Sequence, residues 1–179
     1  MNKLLILDLD ETLIHATAEK LSIQEDFCFD KYFVYKRPHL DWFLSEISKH
    51  FKVGIWSSAS DEYVNGVVQQ LAINGVNFEI IWGRSRCTNK RDIENDTFVF
   101  EKRLKKLRKK NFKLEKIIMV DDSPEKTKTN FGNAIYVSGF KGNSNDTELR
   151  DLHDYLVSKI KALENVRTIE KRHWKSEYL

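Results

Sequence analysis

Short, continuous apolar runs that each break off into polar or acidic residues set what this 179-residue chain can fold into. Leu4-Leu5-Ile6-Leu7 ends in Asp8, Asp10 and Thr12, and Val53-Gly54-Ile55-Trp56 ends in Ser57-Ser58. Phe78-Glu79-Ile80-Ile81-Trp82 runs into Gly83-Arg84, and Ile117-Ile118-Met119-Val120 into Asp121-Asp122-Ser123-Pro124. A weaker fifth run is Ala134-Ile135-Tyr136-Val137. Unbroken runs of this length mark strands covered on both faces, because a strand with one wet face alternates apolar and polar residues.

Between the runs lie segments of helical period. Leu40, Phe43, Leu44 and Ile47 share a face in 39–50, and Val64, Val67, Val68 and Leu71 do so in 61–73. Phe100, Leu104 and Leu107 mark 99–110; Leu149, Leu152, Leu156 and Ile160 mark 146–164, with Asn145 or Asp146 as the cap. Strands alternating with helices predict an α/β, Rossmann-like parallel sheet with helices on both faces. In such sheets ligands bind beyond the carboxyl ends of the strands, where the polar residues above collect. The aromatic stretch 15–36, around Asp30-Lys31, breaks the rhythm and predicts a small β-hairpin insertion; the polar stretch 84–98 is a loop or a second hairpin.

The main unit is expected over 1–165, followed by a charged tail at 166–179 in which Trp174 and Tyr178 are the available anchors. Thirty basic against 27 acidic residues leave +3, too mild a balance to imply nucleic-acid binding. Cys28 and Cys87 read as reduced thiols. No apolar run reaches membrane length, so a cytoplasmic location is expected, or a nuclear one if the source is eukaryotic.

Asp8 and Asp10 at one strand end and Asp121 and Asp122 at another would repel one another if brought together. A divalent cation that prefers oxygen relieves that repulsion, and magnesium suits a few carboxylates plus water and phosphate. Sulfur and histidine ligands are absent from these strand ends, which argues against zinc. A carboxylate can serve as the nucleophile of phosphoryl transfer, with a hydroxyl such as Ser57 and an ammonium such as Lys102 on the phosphate oxygens. A lone acid at a strand end is an ordinary turn residue; the combination is harder to explain that way.

DLDETLIH at 8–15 resembles the DxDxT motif of the haloacid dehalogenase superfamily. The closer resemblance is to its FCP/SCP-like branch, the small phosphatases acting on the RNA polymerase II C-terminal domain, and their bacterial relatives. Lys36-Arg37-Pro38-His39, Trp56-Ser57-Ser58-Ala59, VDDSPEK at 120–126 and SNDTELRDL at 144–152 are similar in the same order. The resemblance implies a magnesium-dependent phosphomonoester hydrolase working through an aspartyl-phosphate. Asp8 would be the nucleophile and a magnesium ligand. Asp10 would be the acid and then the base, giving its backbone carbonyl to the metal. Thr12 would steady the motif loop beside the phosphate. Ser57 and Lys102 would hold the phosphate, Asp121 would orient the lysine, and Asp122 would ligate magnesium. Arg103 stands where the family carries Asp after the lysine, so Lys105 and Lys106 remain alternatives to Lys102.

The intervals between Asp8, Ser57 and Lys102 are filled by the expected elements and leave no room for a separate cap domain. An uncapped site favours a phosphorylated protein or peptide, with a small phosphate ester as the alternative. A non-catalytic binding module on the same fold is the rival from another class. Neither nucleic acid nor membrane is expected as a partner, and the state of association is left open. Arg84 and Arg86 are candidates for phosphate steering. The basic run 102–110 is read as a solvated face, with a docking surface for acidic or phosphorylated partners as the alternative.

Overall fold

The computed structural model describes residues 3–71, 75–92 and 97–178. In chain order the first half holds β1 (Leu4–Leu7), β2 (Ile14–Thr17), β3 (Phe27–Phe29), β4 (Tyr32–Lys36), α1 (Leu40–Ser48), β5 (Lys52–Trp56), α2 (Asp61–Gln70) and β6 (Phe78–Trp82). The second half holds β7 (Thr88–Asp92), β8 (Thr97–Glu101), β9 (Ile117–Asp121), α3 (Pro124–Thr127), β10 (Ala134–Tyr136), α4 (Glu148–Tyr155) and α5 (Trp174–Tyr178).

All five predicted apolar runs are strands of one parallel sheet, ordered β10-β9-β1-β5-β6. β1 lies at its centre, with Leu7 level with Ile55 on one side and Val120 on the other. That register brings the residues after Leu7, Trp56 and Asp121 to one edge. Side chains of β1 alternate between two cores: Leu5 and Leu7 face a cluster with α1, α2 and α4, whereas Leu4 and Ile6 face a second one with Trp56, Met119, Leu104 and Leu107. Both faces are dry, which is why the strand reads as unbroken Leu and Ile.

α1 buries Leu40, Phe43, Leu44 and Ile47, the face the periodicity predicts. Burial of each such side chain contributes about 1.5–3 kcal/mol relative to exposure. α2 starts at Ser60, whose hydroxyl accepts the Tyr63 N–H at 3.3 Å. The cap of α4 is Thr147, one residue beyond the expected pair; Asp146 still accepts the Glu148 N–H at 3.0 Å. α4 continues as a π-turn over Leu156–Ile160.

The insertion is larger than a hairpin. β3 and β4 pair as expected, and β2 adds to β4, giving an antiparallel sheet ordered β2-β4-β3. It rests on α2 at Gly66, where a Cβ would come within 2.2 Å of the Phe29 ring. A mid-helix glycine costs roughly 1 kcal/mol against alanine; here it lets the sheet approach. The stretch 84–98 takes the hairpin alternative through the antiparallel pair β7 and β8; residues 93–96 lie outside the described residues.

The helix expected over 99–110 is not formed as such. Thr97–Glu101 is β8, and a 3-10 helix spans Leu104–Lys110. The Leu104/Leu107 spacing of three fits a 3-10 turn as well as an α-turn, and pairing with β7 claims Phe100 for a strand. The segment after 165 docks: Val166 and Trp174 join the main core, and the Trp174 indole donates to the Tyr136 carbonyl at 2.7 Å. No helix among the described residues is long and apolar enough to cross a membrane. The described residues form no separate cap over the strand ends; the two small antiparallel sheets flank them.

Candidate active site

Asp8 follows β1, and its N–H donates to the Val120 carbonyl at 2.9 Å, so the sheet ladder carries one residue past the strand. The chain then turns tightly. Leu13 and Ile14 N–H groups return to the Leu9 carbonyl, and Glu11 adopts a left-handed φ of 58°. This turn separates the two carboxylates the sequence pairs.

Asp8 is buried and points toward β9 and the segment after β8. Its Oδ1 accepts the Leu9 N–H at 2.8 Å and lies 2.7 Å from Lys102 Nζ. Its Oδ2 is buried with no hydrogen-bond partner. Lys102 is fully buried and also donates to Asp121 Oδ2 at 2.7 Å. Its backbone is held on both sides: its N–H donates to the Lys126 carbonyl at 2.8 Å, and its carbonyl accepts from Asn130. Burial pushes the Lys102 ammonium toward neutrality, but Asp8 and Asp121 overrule it and hold it above the usual lysine range. For Asp121, burial and then the Asp8 charge push the carboxyl up to about 7, with Lys102 working against them.

Of the three alternative lysines, Lys102 is the one brought to Asp8. Lys105 is exposed, and Lys106 donates to the Arg86 and Cys87 carbonyls at 2.7 and 3.0 Å.

Asp10 faces the other way. Its Oδ2 accepts from Ser57 Oγ at 3.1 Å and its Oδ1 from the Tyr63 hydroxyl at 2.7 Å. Ser57 is buried beyond β5, and its Oγ also accepts the Ala59 N–H at 3.0 Å. Burial raises the Asp10 pKa and the Asp8 charge adds to it, while the Tyr63 and Ser57 hydrogen bonds pull against both. The net rise suits an acid that must still carry a proton when a leaving oxygen needs one.

One carboxylate oxygen each of Asp8, Asp121 and Asp122 lie within 4.8 Å of one another. These all-oxygen donors fit a hard divalent cation such as magnesium. Asp121 has its oxygens engaged by Lys102 and by the Ser123 N–H, which leaves Asp8 and Asp122 freer to ligate. The Asp10 carboxylate is occupied by Ser57 and Tyr63, so a contribution from Asp10 would come from its main chain. Thr12 is fully buried in the turn; its carbonyl accepts from Arg37 at 3.0 Å and its hydroxyl has no partner.

Three residues in the site had no role assigned from the sequence. Lys126, on α3, places its ammonium 3.7 Å from Asp8 Oδ2. Burial would lower its pKa, but Asp8 leads the charges that raise it overall. Its signal was present in VDDSPEK without an assigned role. Tyr63 follows the Ser60 cap, one turn after the Ser57 strand end. Arg37 is buried and forks onto Asp146 at 2.8 Å through both Nε and Nη2, while also bonding the Thr12 and Ser138 carbonyls. It ties the turn after Asp10 to the loop before α4.

A groove of about 690 Å³ opens beside Asp10 and Glu11, between the three-stranded sheet and α2. Phe29 and Tyr32 line it, each edge-on to Tyr63 at 5.9 Å, so these aromatics both pack against the core and face the groove. Arg84 lines it too, anchored by a 2.8 Å bond to the Ser58 carbonyl and lying over the Phe100 ring. Arg86 instead lies over Trp82 and is not part of the lining.

The model of the NLI interacting factor-like phosphatase family matches residues 3–167. Nuclear envelope morphology protein 1 of Schizosaccharomyces pombe is 28% identical over 163 residues, covering 86% of this chain and 32% of that protein. The human CTD small phosphatase-like protein is 29% identical over 157 residues, covering 84% of this chain and 53% of that protein. The chain thus spans between a third and about half of the length of these relatives. Fission yeast RNA polymerase II CTD phosphatase Fcp1, solved bound to beryllium fluoride, superimposes with a TM-score of 0.58 at 19% identity, over 87% of this chain and 50% of that one. That likeness shows the shared fold.

Proposed function

The chain belongs to the NLI interacting factor-like phosphatase family, and from that premise we propose that it is a magnesium-dependent phosphomonoester hydrolase with Asp8 as nucleophile. The observation that carries the reading is the state of Asp8. One oxygen is held by Lys102 and a backbone N–H, and the other is buried without a hydrogen-bond partner. An oriented carboxylate with one free oxygen is what in-line attack on phosphorus requires.

Asp8 Oδ2 attacks the phosphorus, the phosphorus–ester bond breaks, and Asp10 gives its proton to the leaving oxygen. Asp10 then takes a proton from the water that hydrolyses the aspartyl-phosphate. Lys102 and the Ser57 hydroxyl bear on the phosphoryl oxygens, and Lys126 adds a second cation on the Oδ2 side. Asp121 holds Lys102 in place. Asp8, Asp122 and the Asp10 main-chain carbonyl would hold magnesium, which when bound neutralises charge on the transferred group.

The open groove supports a phosphorylated protein or peptide as substrate, and the names of the relatives, CTD phosphatases, point the same way. Relatives named for the nuclear envelope add a nuclear setting to the cytoplasmic one.

Hydrolysis of an aryl phosphate with and without magnesium tests the reaction. Asp8→Asn should lose at least about 10³-fold in turnover, since a carboxamide is a poor nucleophile. Undiminished turnover in that variant, or turnover indifferent to magnesium, would remove the proposal. A protein that binds phosphopeptide without turning over would be the non-catalytic module instead.

A further inference from the structure

Charge is distributed unevenly along this chain. Of its 30 basic and 27 acidic residues, nine and one fall within 102–116, leaving the remainder at a formal −5. Several lysines elsewhere are paired, such as Lys20 with Glu25, Lys36 with Asp41, Lys49 with Glu46 and Lys175 with Glu148. Lys105, Arg108, Lys109, Lys110 and Lys113 are exposed, and among the described residues none has a carboxylate within 4.0 Å. Leu104 and Leu107 anchor this segment in the second core, so its cations are held on a fixed surface.

The strip leads somewhere. The segment leaves the site at the buried Lys102, and its exposed cations run from Lys105 toward the opposite pole of the sheet. There Lys110, Asn111, Phe112, Lys113 and Lys116 join Lys52 and Glu79 around a concavity of about 380 Å³. Glu79 pairs with Lys52 at 2.6 Å, so the cations open to a partner are Lys110, Lys113 and Lys116. Lys52 opens β5 and Lys116 precedes β9, so this concavity lies at the amino ends of the strands. Five-residue strands separate it from the site by about 17 Å.

We propose that this strip and concavity form a docking surface for an acidic segment of a protein substrate, one that lies roughly ten residues along the chain from the phosphorylated residue. The proposal rests on the phosphatase reading only for the word substrate; the binding itself is independent of turnover. Charge complementarity selects an acidic partner, and a concavity suits an extended chain. A lipid surface is a poorer fit, because membrane-binding basic helices display large apolar residues beside their cations. Here both leucines point inward and Phe112 is half-buried. Single-stranded nucleic acid asks for exposed stacking rings, which the strip does not present. An extended chain of ten residues reaches about 33–36 Å, enough to span that separation along the curved surface between site and concavity.

The test uses the full chain and a variant carrying Lys109→Glu, Lys110→Glu and Lys113→Glu, all exposed and outside the site. Fluorescence anisotropy follows a labelled glutamate-rich decapeptide. Kinetics compare two phosphopeptides, one with a glutamate block ten residues from the phosphate and one with a serine–glycine block there. Wild type should bind the decapeptide with an affinity that falls as salt rises, and charge reversal should weaken it at least about tenfold. KM for the acidic phosphopeptide should be about tenfold below that for the neutral one, with the difference lost in the variant and aryl phosphate turnover unchanged. Equal KM values for the two peptides in wild type would overturn the proposal, as would tighter binding to duplex DNA or to phosphatidylserine vesicles than to the decapeptide. Absence of aryl phosphate turnover in both proteins would instead strike the phosphatase reading, and the anisotropy titration would still decide the docking surface.

Discussion

Lys102 Nζ lies 2.7 Å from Asp8 Oδ1, with neither side chain more than 1% exposed. At that distance and burial the pair acts as one unit, since removing either charge strands the other in a low-dielectric setting. Lys102→Met should therefore cost about 3–5 kcal/mol of stability and abolish turnover. Thermal melting read beside aryl phosphate hydrolysis separates the two effects. Lys105→Ala and Lys106→Ala should keep turnover within about twofold, as expected for surface changes away from the site. A larger loss in Lys105→Ala than in Lys102→Met would reassign the phosphate-binding lysine.

Lys126 faces the free oxygen of Asp8 from 3.7 Å while its own carbonyl supports Lys102. Lys126→Met keeps the backbone contact and removes only the ammonium. We expect turnover to fall about 10- to 100-fold, in line with the loss of one or two charge-assisted hydrogen bonds, with little change in melting temperature. Unchanged kinetics would limit Lys126 to its backbone role.

Arg37 and Asp146 form a two-bond fork across a sequence separation of 109 residues. Arg37→Ala should lower stability by about 3–5 kcal/mol, because Asp146 and the Thr12 and Ser138 carbonyls lose their shared partner. Burial pushes the Asp146 pKa up, but Arg37 prevails and leaves it below the ordinary carboxylate range. A depressed folded-state pKa gives stability that is present above the unfolded pKa and lost as pH falls through the folded one. Wild type should thus show an acid-side loss of stability below about pH 4 that is smaller in Arg37→Ala. Urea titrations at pH 3 to 6 measure it, and equal slopes in both proteins would refute the linkage.

Magnesium should raise the melting temperature of wild type in a concentration-dependent way, since a ligand bound only by the folded state stabilises it by mass action. Asp122→Ala should abolish that rise without lowering the metal-free melting temperature by more than a few degrees, because Asp122 is only half-buried. A full magnesium-dependent rise in Asp122→Ala would exclude it as a ligand.

Much of this molecule was legible in one dimension. β1, β5, β6, β9 and β10 occupy the apolar runs, and α1 buries the four residues its periodicity selects. The clustering of Asp8, Asp121 and Asp122 follows from their places at neighbouring strand ends of the parallel sheet, whereas Lys102 reaches them from the end of β8 in the separate hairpin. Local pattern failed at 99–110, where Phe100 and Leu104 share a helical spacing yet belong to a strand and a 3-10 helix. There the pairing of β8 with β7 outweighed propensity. It also understated the insertion, because the strand β2 follows directly on the motif turn and carries no turn signal before it.

By itself the sequence determined the elements whose burial is written in their own residues: strands dry on both faces, helices dry on one, and acids where the strands stop. Only the tertiary structure decided which of three lysines meets Asp8, that Tyr63 and Ser57 hold Asp10, that Lys126 faces the free oxygen and that Arg37 reaches Asp146. Each of those relations joins residues far apart in the chain, and their positions are set by packing of the sheet, its helices and the hairpin. A repeat of two or 3.6 residues records which side of an element is buried, and carries no information about what lies against it.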